Sequence, residues 1–214
     1  MKPHAEPGRK GPSGRRKAGL LRFAVLVPHR DSRRLVTACR PSLFAAGLPG
    51  AWSFPAVAPL ARLSRPLAAS ELKTLAAFLR EATLGRGGWI TAGEPADIPS
   101  PGSDGGLEGP LRFWGPVLDL PVPAWRDIRA SESAQPETVY CPFPAAVLCF
   151  ALTPGGVPPS LPLPALPALS FRAAAAAAMT IRPLAAGAQG YSFHWKIGPL
   201  FWLPKKPPRS RRST

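Results

Sequence analysis

The chain has 214 residues, a formal net charge of +15, three cysteines and three histidines. Alanine, proline, glycine and arginine, whose codons are the richest in G and C, supply 104 of the residues, and asparagine is absent. The odd number of cysteines, with no C-x-x-C pair, supports neither a disulfide framework nor a zinc site, and the isolated histidines offer no metal cluster.

The spacing of the prolines predicts that the chain is mostly disordered or irregular. A proline lacks the amide donor and pushes the preceding residue away from helical geometry, so each one bounds an element. Only one proline-free window is longer than fifteen residues, the 28 residues of 67–94. Isolated helices shorter than about 12–15 residues are marginal. We therefore expect an intrinsically disordered chain, rich in proline, alanine and arginine, with no globular fold.

Composition and charge predict six segments along the chain. They are a basic disordered arm with short apolar pieces over 1–65, an amphipathic helix over 66–84, an acidic Gly/Pro-rich linker over 85–137, an uncharged Pro/Leu-rich tract over 138–171, an Ala-rich helix and aromatic strand over 172–203, and a basic proline-rich tail over 204–214.

The arm over 1–65 contains one apolar run, Leu20–Val27, which fits either a strand or a buried turn of helix. Between Pro7 and Ser70 the only acid is Asp31, against twelve arginines and lysines. This bias is typical of mitochondrial presequences, although the early prolines oppose a sustained amphipathic helix. Mitochondrial targeting therefore stays open as an alternative.

The segment over 66–84 has the best helix pattern in the chain. Ser70 is a candidate N-cap, Glu71 suits the positive end of the helix dipole, and Gly85 suits a left-handed C-terminal position. Apolar side chains form a one-sided stripe that includes Leu72, Leu75, Phe78 and Leu79. Such a stripe usually packs on its own domain. Because the expected core is thin, we also consider it a candidate partner-binding face.

The two middle segments give weaker signals. Glycines, prolines and acids dominate 85–137, which is typical of a linker. The uninterrupted apolar run Ala145–Leu152 is far shorter than the roughly 20 residues of a spanning helix, and prolines interrupt the longer uncharged stretch over 41–61. A membrane-spanning helix is therefore not expected.

The last third of the chain predicts one helix and one strand. Six alanines over 173–178 have the highest helix propensity available, so we expect a short, transient helix near 171–182, ended by Pro183. Over 191–197 aromatic and polar residues alternate, which predicts a strand. We expect its aromatic face to pack against the 66–84 helix. Aromatics beside lysines also suit base stacking in single-stranded nucleic acid.

Two short motifs occupy the tail. Pro204, Pro207 and Arg209 have the P-x-x-P-x-R spacing, which resembles ligands of Src-homology-3 (SH3) domains. The second motif resembles a basic nuclear import signal, and its members are Lys205, Lys206, Arg209, Arg211 and Arg212 with a second cluster at Arg15, Arg16 and Lys17. A tail that is merely kept soluble by its charges is the simpler interpretation.

No catalytic signature is present, so we expect neither an enzyme nor a bound cofactor. The carboxylates concentrate in the segment predicted to be loose, and phosphate-binding glycine loops and G-x-S-x-G elbows are absent. We interpret the chain as a nuclear or nucleolar interaction protein that binds SH3 domains or polyanions such as RNA and DNA. The alternatives are a membrane-associated or mitochondrial protein, and a translated GC-rich frame without a selected function.

Overall fold

A computed structural model describes residues 20–51, 54–102, 111–128, 140–152, 170–187 and 190–203, and in these ranges the chain is folded. The helices are α1 Arg30–Ala45, α2 Ala69–Leu84 and α3 Trp125–Ile128, with a 3₁₀ turn at Pro49–Ala51. The strands are β1 Leu21–Pro28, β2 Ala58–Leu63, β3 Trp89–Pro99, β4 Arg112–Leu118, β5 Tyr140–Pro142, β6 Ala151–Leu152, β7 Ser170–Gly187, β8 Gly190–Ile197 and β9 Phe201–Trp202. The prediction of a mostly disordered chain without a globular fold is therefore wrong.

All nine strands belong to one antiparallel sheet. Its order is β5-β2-β1-β7-β3-β4-β6, and β8 and β9 pair with β7. The two ends of this order, β5 and β6, belong to the same segment, 140–152. Within it the amide of Cys149 donates to the Val57 carbonyl (2.9 Å), and the amide of Phe150 donates to Trp114 (2.9 Å). This segment bridges the two ends, so the sheet closes on itself and satisfies their backbone groups.

Prolines explain why the disorder prediction failed. Four of them, Pro28, Pro59, Pro95 and Pro183, lie inside strands, each at a position where the register between paired strands shifts. A bulge leaves one residue out of the hydrogen-bond ladder, so a missing amide donor costs little there. Pro41 is tolerated inside α1. Pro59, Pro95 and Pro183 therefore lie within strands without ending them, whereas Pro28 is the last residue of β1.

Strand β7 replaces the short helix predicted near 171–182. Ala175, Ala176 and Ala177 pair with β1 over 25–27. All three are fully buried, with Ala175 and Ala177 on one face of the sheet and Ala176 on the other. A strand that is buried on both faces lacks the alternation of polar and apolar residues by which strands are predicted. The helix prediction is wrong because packing on both faces outweighs the small helix preference of alanine.

The core has two parts, one on each face of the closed sheet. The inner cluster contains four phenylalanines in mutual contact: Phe113 touches Phe23, Phe54 and Phe143, with ring centroids 5.3–5.5 Å apart. The outer cluster lies between the sheet and the helices, and Leu75 of α2 is fully buried in it. Burial of both faces explains how a chain with so many small residues keeps a core.

The predicted 66–84 helix is confirmed as α2, which begins three residues later than expected. Its N-cap is Ala68, not Ser70, and the Glu71 carboxylate accepts a hydrogen bond from the Ala68 amide (2.7 Å). Arg65 donates two hydrogen bonds to the same carboxylate, at 2.6 and 3.0 Å. These bonds hold the pKa of the buried Glu71 below its ordinary value. The helix start is thus fixed by a charged network.

The predicted strand over 191–197 is confirmed as β8, but its packing differs from the expectation. Ile197 pairs with Met179, and Phe193 lies on the same face of β8 as Ile197. Met179 and Phe193 are buried in the inner cluster, and Ile197 packs against it. The α2 helix lies against the opposite face, in the outer cluster. The expected contact between β8 and α2 is therefore wrong, because the register to β7 fixes which face is inward.

Several elements occur where none was predicted. Helix α1 lies in the expected disordered arm, and β3, β4 and α3 lie in the expected linker. Only Ser32, Val36 and Leu43 of α1 are buried, so its apolar stripe is narrow. In β3, Ile90 alone is buried. Most exposed residues of both segments are polar or small, and few residues are buried, so the sequence shows no clear apolar periodicity for a helix or a strand. No described helix is long and apolar enough to cross a membrane.

Candidate functional site

A cleft of about 810 Å³ opens where the first turn of α1, the last turn of α2, the start of β7 and the strand β9 meet. We call it the Arg172 cleft. Its volume is in the range of small-molecule sites. Its positively charged or titratable side chains are those of His29, Arg30, Arg33, Arg80 and Arg172, and its larger apolar side chains are those of Leu84, Leu200, Trp202 and Leu203.

Hydrogen bonds to the backbone of Arg172 fix the first turn of α1 beside β7. The amide of His29, the N-cap of α1, donates to the Arg172 carbonyl (2.7 Å). The Arg172 amide in turn donates to the hydroxyl of Ser32 (3.3 Å), which is buried. Because Ser32 lies between Arg30 and Arg33 on the first turn, this pairing brings both arginines to the cleft.

A glycine turn positions the end of α2. Gly87 and Gly88 have φ angles of +62° and +84°, a region that favours glycine, whereas Gly85 has the helical φ of −62°. The prediction that Gly85 would take the left-handed position is therefore wrong. The Gly88 amide donates to Thr83 and its carbonyl accepts from Ala173 (3.1 Å). The last turn of α2 is thereby fixed at the cleft, against β7.

Strand β9 places a tryptophan at the mouth of the cleft. Trp202 pairs with Ala175, and the amide of Leu203 donates to the Ala174 carbonyl (2.8 Å). Phe201 is half-buried and packs against the outer cluster, whereas the Trp202 side chain is 66% exposed. A ring that is held by its backbone and still open to solvent can stack on a planar ligand.

The cleft is strongly cationic. No carboxylate of the described part of the chain lines it. The nearest ion pairs join His29 to Asp31 (3.3 Å) and Arg80 to Glu81 (4.0 Å), at its edge. Among the described residues, no carboxylate oxygen comes within 4.0 Å of Arg30, Arg33 or Arg172. Like charges held together in this way repel one another, and a bound anion would relieve that repulsion.

Other reactive side chains are scattered in the described part of the chain. Cys149 is fully buried, its thiol donates to the Ala151 carbonyl (3.3 Å), and burial raises its pKa. Burial also raises the pKa of Cys39, which is partly exposed, and Cys141 lies at the surface. The described residues contain no group of three His, Cys, Asp or Glu side chains that could hold a metal ion.

The candidate residues predicted from the sequence lie away from this cleft or outside the described residues. Leu72, Leu75 and Leu79 of the predicted partner face are buried in the outer cluster, and Phe78 is half-buried against it. These side chains contribute to the core of their own domain. Outside the described residues lie the SH3-type motif Pro204, Pro207 and Arg209, and the import-like residues Lys205, Lys206, Arg211, Arg212, Arg15, Arg16 and Lys17.

The sequence interpretation missed the cleft because its residues are far apart along the chain. Arg33, Arg80 and Arg172 come from three segments that carry no common motif, and only the fold brings them together. The one local signal was the aromatic pair at 201–202 directly before the basic tail.

Comparisons of the chain with known protein families, with curated proteins and with solved structures find no match.

Proposed function

We propose that the protein binds nucleotides, free or within a nucleic acid, in the Arg172 cleft. The observation that carries this proposal is that Arg30, Arg33 and Arg172 have no carboxylate partner among the described residues and line the same cleft as the exposed Trp202. Guanidinium groups bind phosphate through paired hydrogen bonds, and an exposed tryptophan stacks on bases. A net charge of +15 would also draw polyanions to the molecule.

Three cleft arginines without a carboxylate partner among the described residues favour a phosphate ligand over a singly charged carboxylate. A phosphate monoester carries about two negative charges at neutral pH and offers three strong acceptor oxygens. A fatty-acid carboxylate carries one charge and would leave part of the cationic cluster uncompensated. The planar ring at the cleft mouth also suits a nucleobase. A nucleotide supplies both the charge and the flat apolar surface that the cleft presents.

Calorimetric titration with adenosine diphosphate tests the proposal. We expect binding that weakens at least tenfold in Arg33→Ala and Arg172→Ala, and about 5- to 150-fold in Trp202→Ala, since one stacked base is worth about 1–3 kcal/mol. Arg126→Ala is the matched control, because the Arg126 side chain is 83% exposed on α3 and does not line the cleft. Adenosine and inorganic phosphate, titrated separately, should each bind more weakly than the nucleotide.

Three results would contradict the proposal. The first is an absence of nucleotide binding at millimolar concentration. The second is binding that Arg33→Ala and Arg172→Ala leave unchanged while the control behaves as wild type. The third is tighter binding of a medium-chain fatty acid than of the nucleotide, which would indicate a different class of ligand.

Nuclear accumulation through the basic tail stays part of the proposed function. Lys205, Lys206, Arg209, Arg211 and Arg212 form a cluster with the spacing of an import signal. Replacing all five with alanine in a fluorescent fusion should abolish accumulation in the nucleus. An unchanged distribution between nucleus and cytoplasm would contradict it.

Binding of an SH3 domain to the tail also stays a proposal, and Arg209→Ala should weaken that binding.

A further inference from the structure

A second cationic surface lies on the β7–β8 hairpin and the adjoining strand β1. Thr180 on β7 pairs with Arg22 on β1 and with Lys196 on β8, and Arg182 on β7 pairs with His194. Paired residues in a sheet, and residues two apart along one strand, point to the same face. Arg22, Arg182, His194 and Lys196 therefore share one face, which we call the hairpin face.

No negative charge of the described residues compensates the cations of the hairpin face. The strands β1, β7 and β8 contain no acidic residue. Among the described residues, no carboxylate lies within 4.0 Å of the cationic groups of Arg22, Arg182 or Lys196. The last two side chains are exposed, and Arg22 is half-buried. Arg182 and Lys196 are diagonal neighbours on adjacent strands and repel each other, so these charges add no favourable pairing to the fold.

The hairpin face is connected to the Arg172 cleft by a short stretch of backbone. Lys196 precedes Leu200, which lines the cleft, by four residues. At about 3.3 Å per residue, these residues span at most about 13 Å. The cationic groups of the hairpin face therefore begin, at Lys196, within about 13 Å of backbone from the cleft edge that Leu200 forms. A single mononucleotide in the cleft would leave those on the hairpin face without a partner.

We infer that the ligand is a single-stranded polynucleotide, with one nucleotide in the Arg172 cleft and the following phosphates on the hairpin face. This inference rests on the proposed function and names its ligand class more narrowly. Arginine and lysine side chains along a strand would follow the phosphate backbone without reading the bases. Each neutralised phosphate releases bound counterions, so affinity for the polymer should fall steeply with salt.

Two ligands and one charge-matched pair of variants test this inference. The ligands are adenosine diphosphate, measured by calorimetry, and a labelled single-stranded 20-mer, measured by fluorescence anisotropy from 50 to 200 mM salt. The test variant is Arg182→Glu with Lys196→Glu. The control is Lys73→Glu with Arg126→Glu, which changes the net charge equally at exposed positions on α2 and α3. Urea unfolding of both variants should stay within about 0.5 kcal/mol of wild type.

We expect the test variant to bind the 20-mer at least tenfold more weakly than the control does. Its slope of log affinity against log salt should be shallower by about 1.4, the value for two lost phosphate contacts on a single strand. Its affinity for adenosine diphosphate should equal that of the control, because neither Arg182 nor Lys196 lines the cleft.

The other outcomes separate the two proposals. If adenosine diphosphate binds, and the test variant and the control bind the 20-mer equally well, the inference is overturned and the proposed function stands. If neither ligand binds the wild type, the proposed function fails. If the wild type binds phosphatidylserine vesicles but not the 20-mer, and only the test variant loses vesicle binding, the inference is overturned in favour of a membrane surface.

Discussion

Gly115 on β4 provides the sharpest test of the closed sheet. A Cβ atom at this position would overlap the carbonyl oxygen of Leu148 and would lie 3.2 Å from the amide nitrogen of Phe150. Both neighbours are backbone groups of the segment that closes the sheet, and neither can rotate away. Gly115→Ala must therefore push β4 and this segment apart.

The expected loss of stability follows from the hydrogen bonds that Trp114 and Pro116, the neighbours of Gly115, accept from this segment. The Leu148 amide donates to Pro116 (3.0 Å) and the Phe150 amide donates to Trp114 (2.9 Å). Losing both bonds costs about 1–3 kcal/mol, and the steric overlap adds about 1–3 kcal/mol. We expect Gly115→Ala to lower the free energy of unfolding by about 2–6 kcal/mol, a large share of the roughly 5–15 kcal/mol of a typical domain.

Urea unfolding followed by tryptophan fluorescence measures this loss. The control is Gly85→Ala, because a Cβ atom at Gly85 would have no heavy atom within 4 Å and its φ is −62°. That substitution should be neutral or stabilising by up to about 1 kcal/mol. If Gly115→Ala stays within about 0.5 kcal/mol of wild type, the segment 140–152 does not close the sheet as described.

Three further predictions concern single side chains. Glu71→Gln should destabilise the protein by about 1–3 kcal/mol at pH 7. Because hydrogen bonds from Arg65 and Ala68 lower the Glu71 pKa, the stability of the wild type, measured by urea unfolding, should fall as the pH drops below about 4.5. The variant should lack this part of the loss of stability. A thiol reagent at pH 8, with labelled peptides identified by mass, should modify the exposed Cys141 in the native protein and Cys149 only after unfolding. The reason is that burial both shields the Cys149 thiol and raises its pKa. Rapid labelling of Cys149 in the native protein would contradict its place in the core. Ser32→Ala should lower the free energy of unfolding by about 1–2 kcal/mol, because it leaves the Arg172 amide without its acceptor, whereas Ser42→Ala at an exposed position of α1 should change it by less than about 0.5 kcal/mol.

Sequence patterns alone were sufficient for α2 and β8. The apolar stripe of Leu72, Leu75 and Leu79 repeats with the helical period, and each of these side chains is buried on one face. The alternation that ends at Ile197 has the period of a strand, and β8 follows it. In α2 one face is buried and the other is exposed, and in β8 Phe193 is buried while His194 and Lys196 are exposed, so the sequence itself carries the period.

The tertiary structure alone decided the rest. The six alanines over 173–178 form a strand because both of its faces are covered, a state that leaves no period in the sequence. Four prolines, Pro28, Pro59, Pro95 and Pro183, are tolerated at strand positions because each lies beside a register shift, and a shift exists only between two paired strands. The fold also places Arg33, Arg80 and Arg172 in one cleft. Contacts between segments that are distant in sequence depend on how the sheet closes, and the secondary-structure preferences of single residues do not determine that closure.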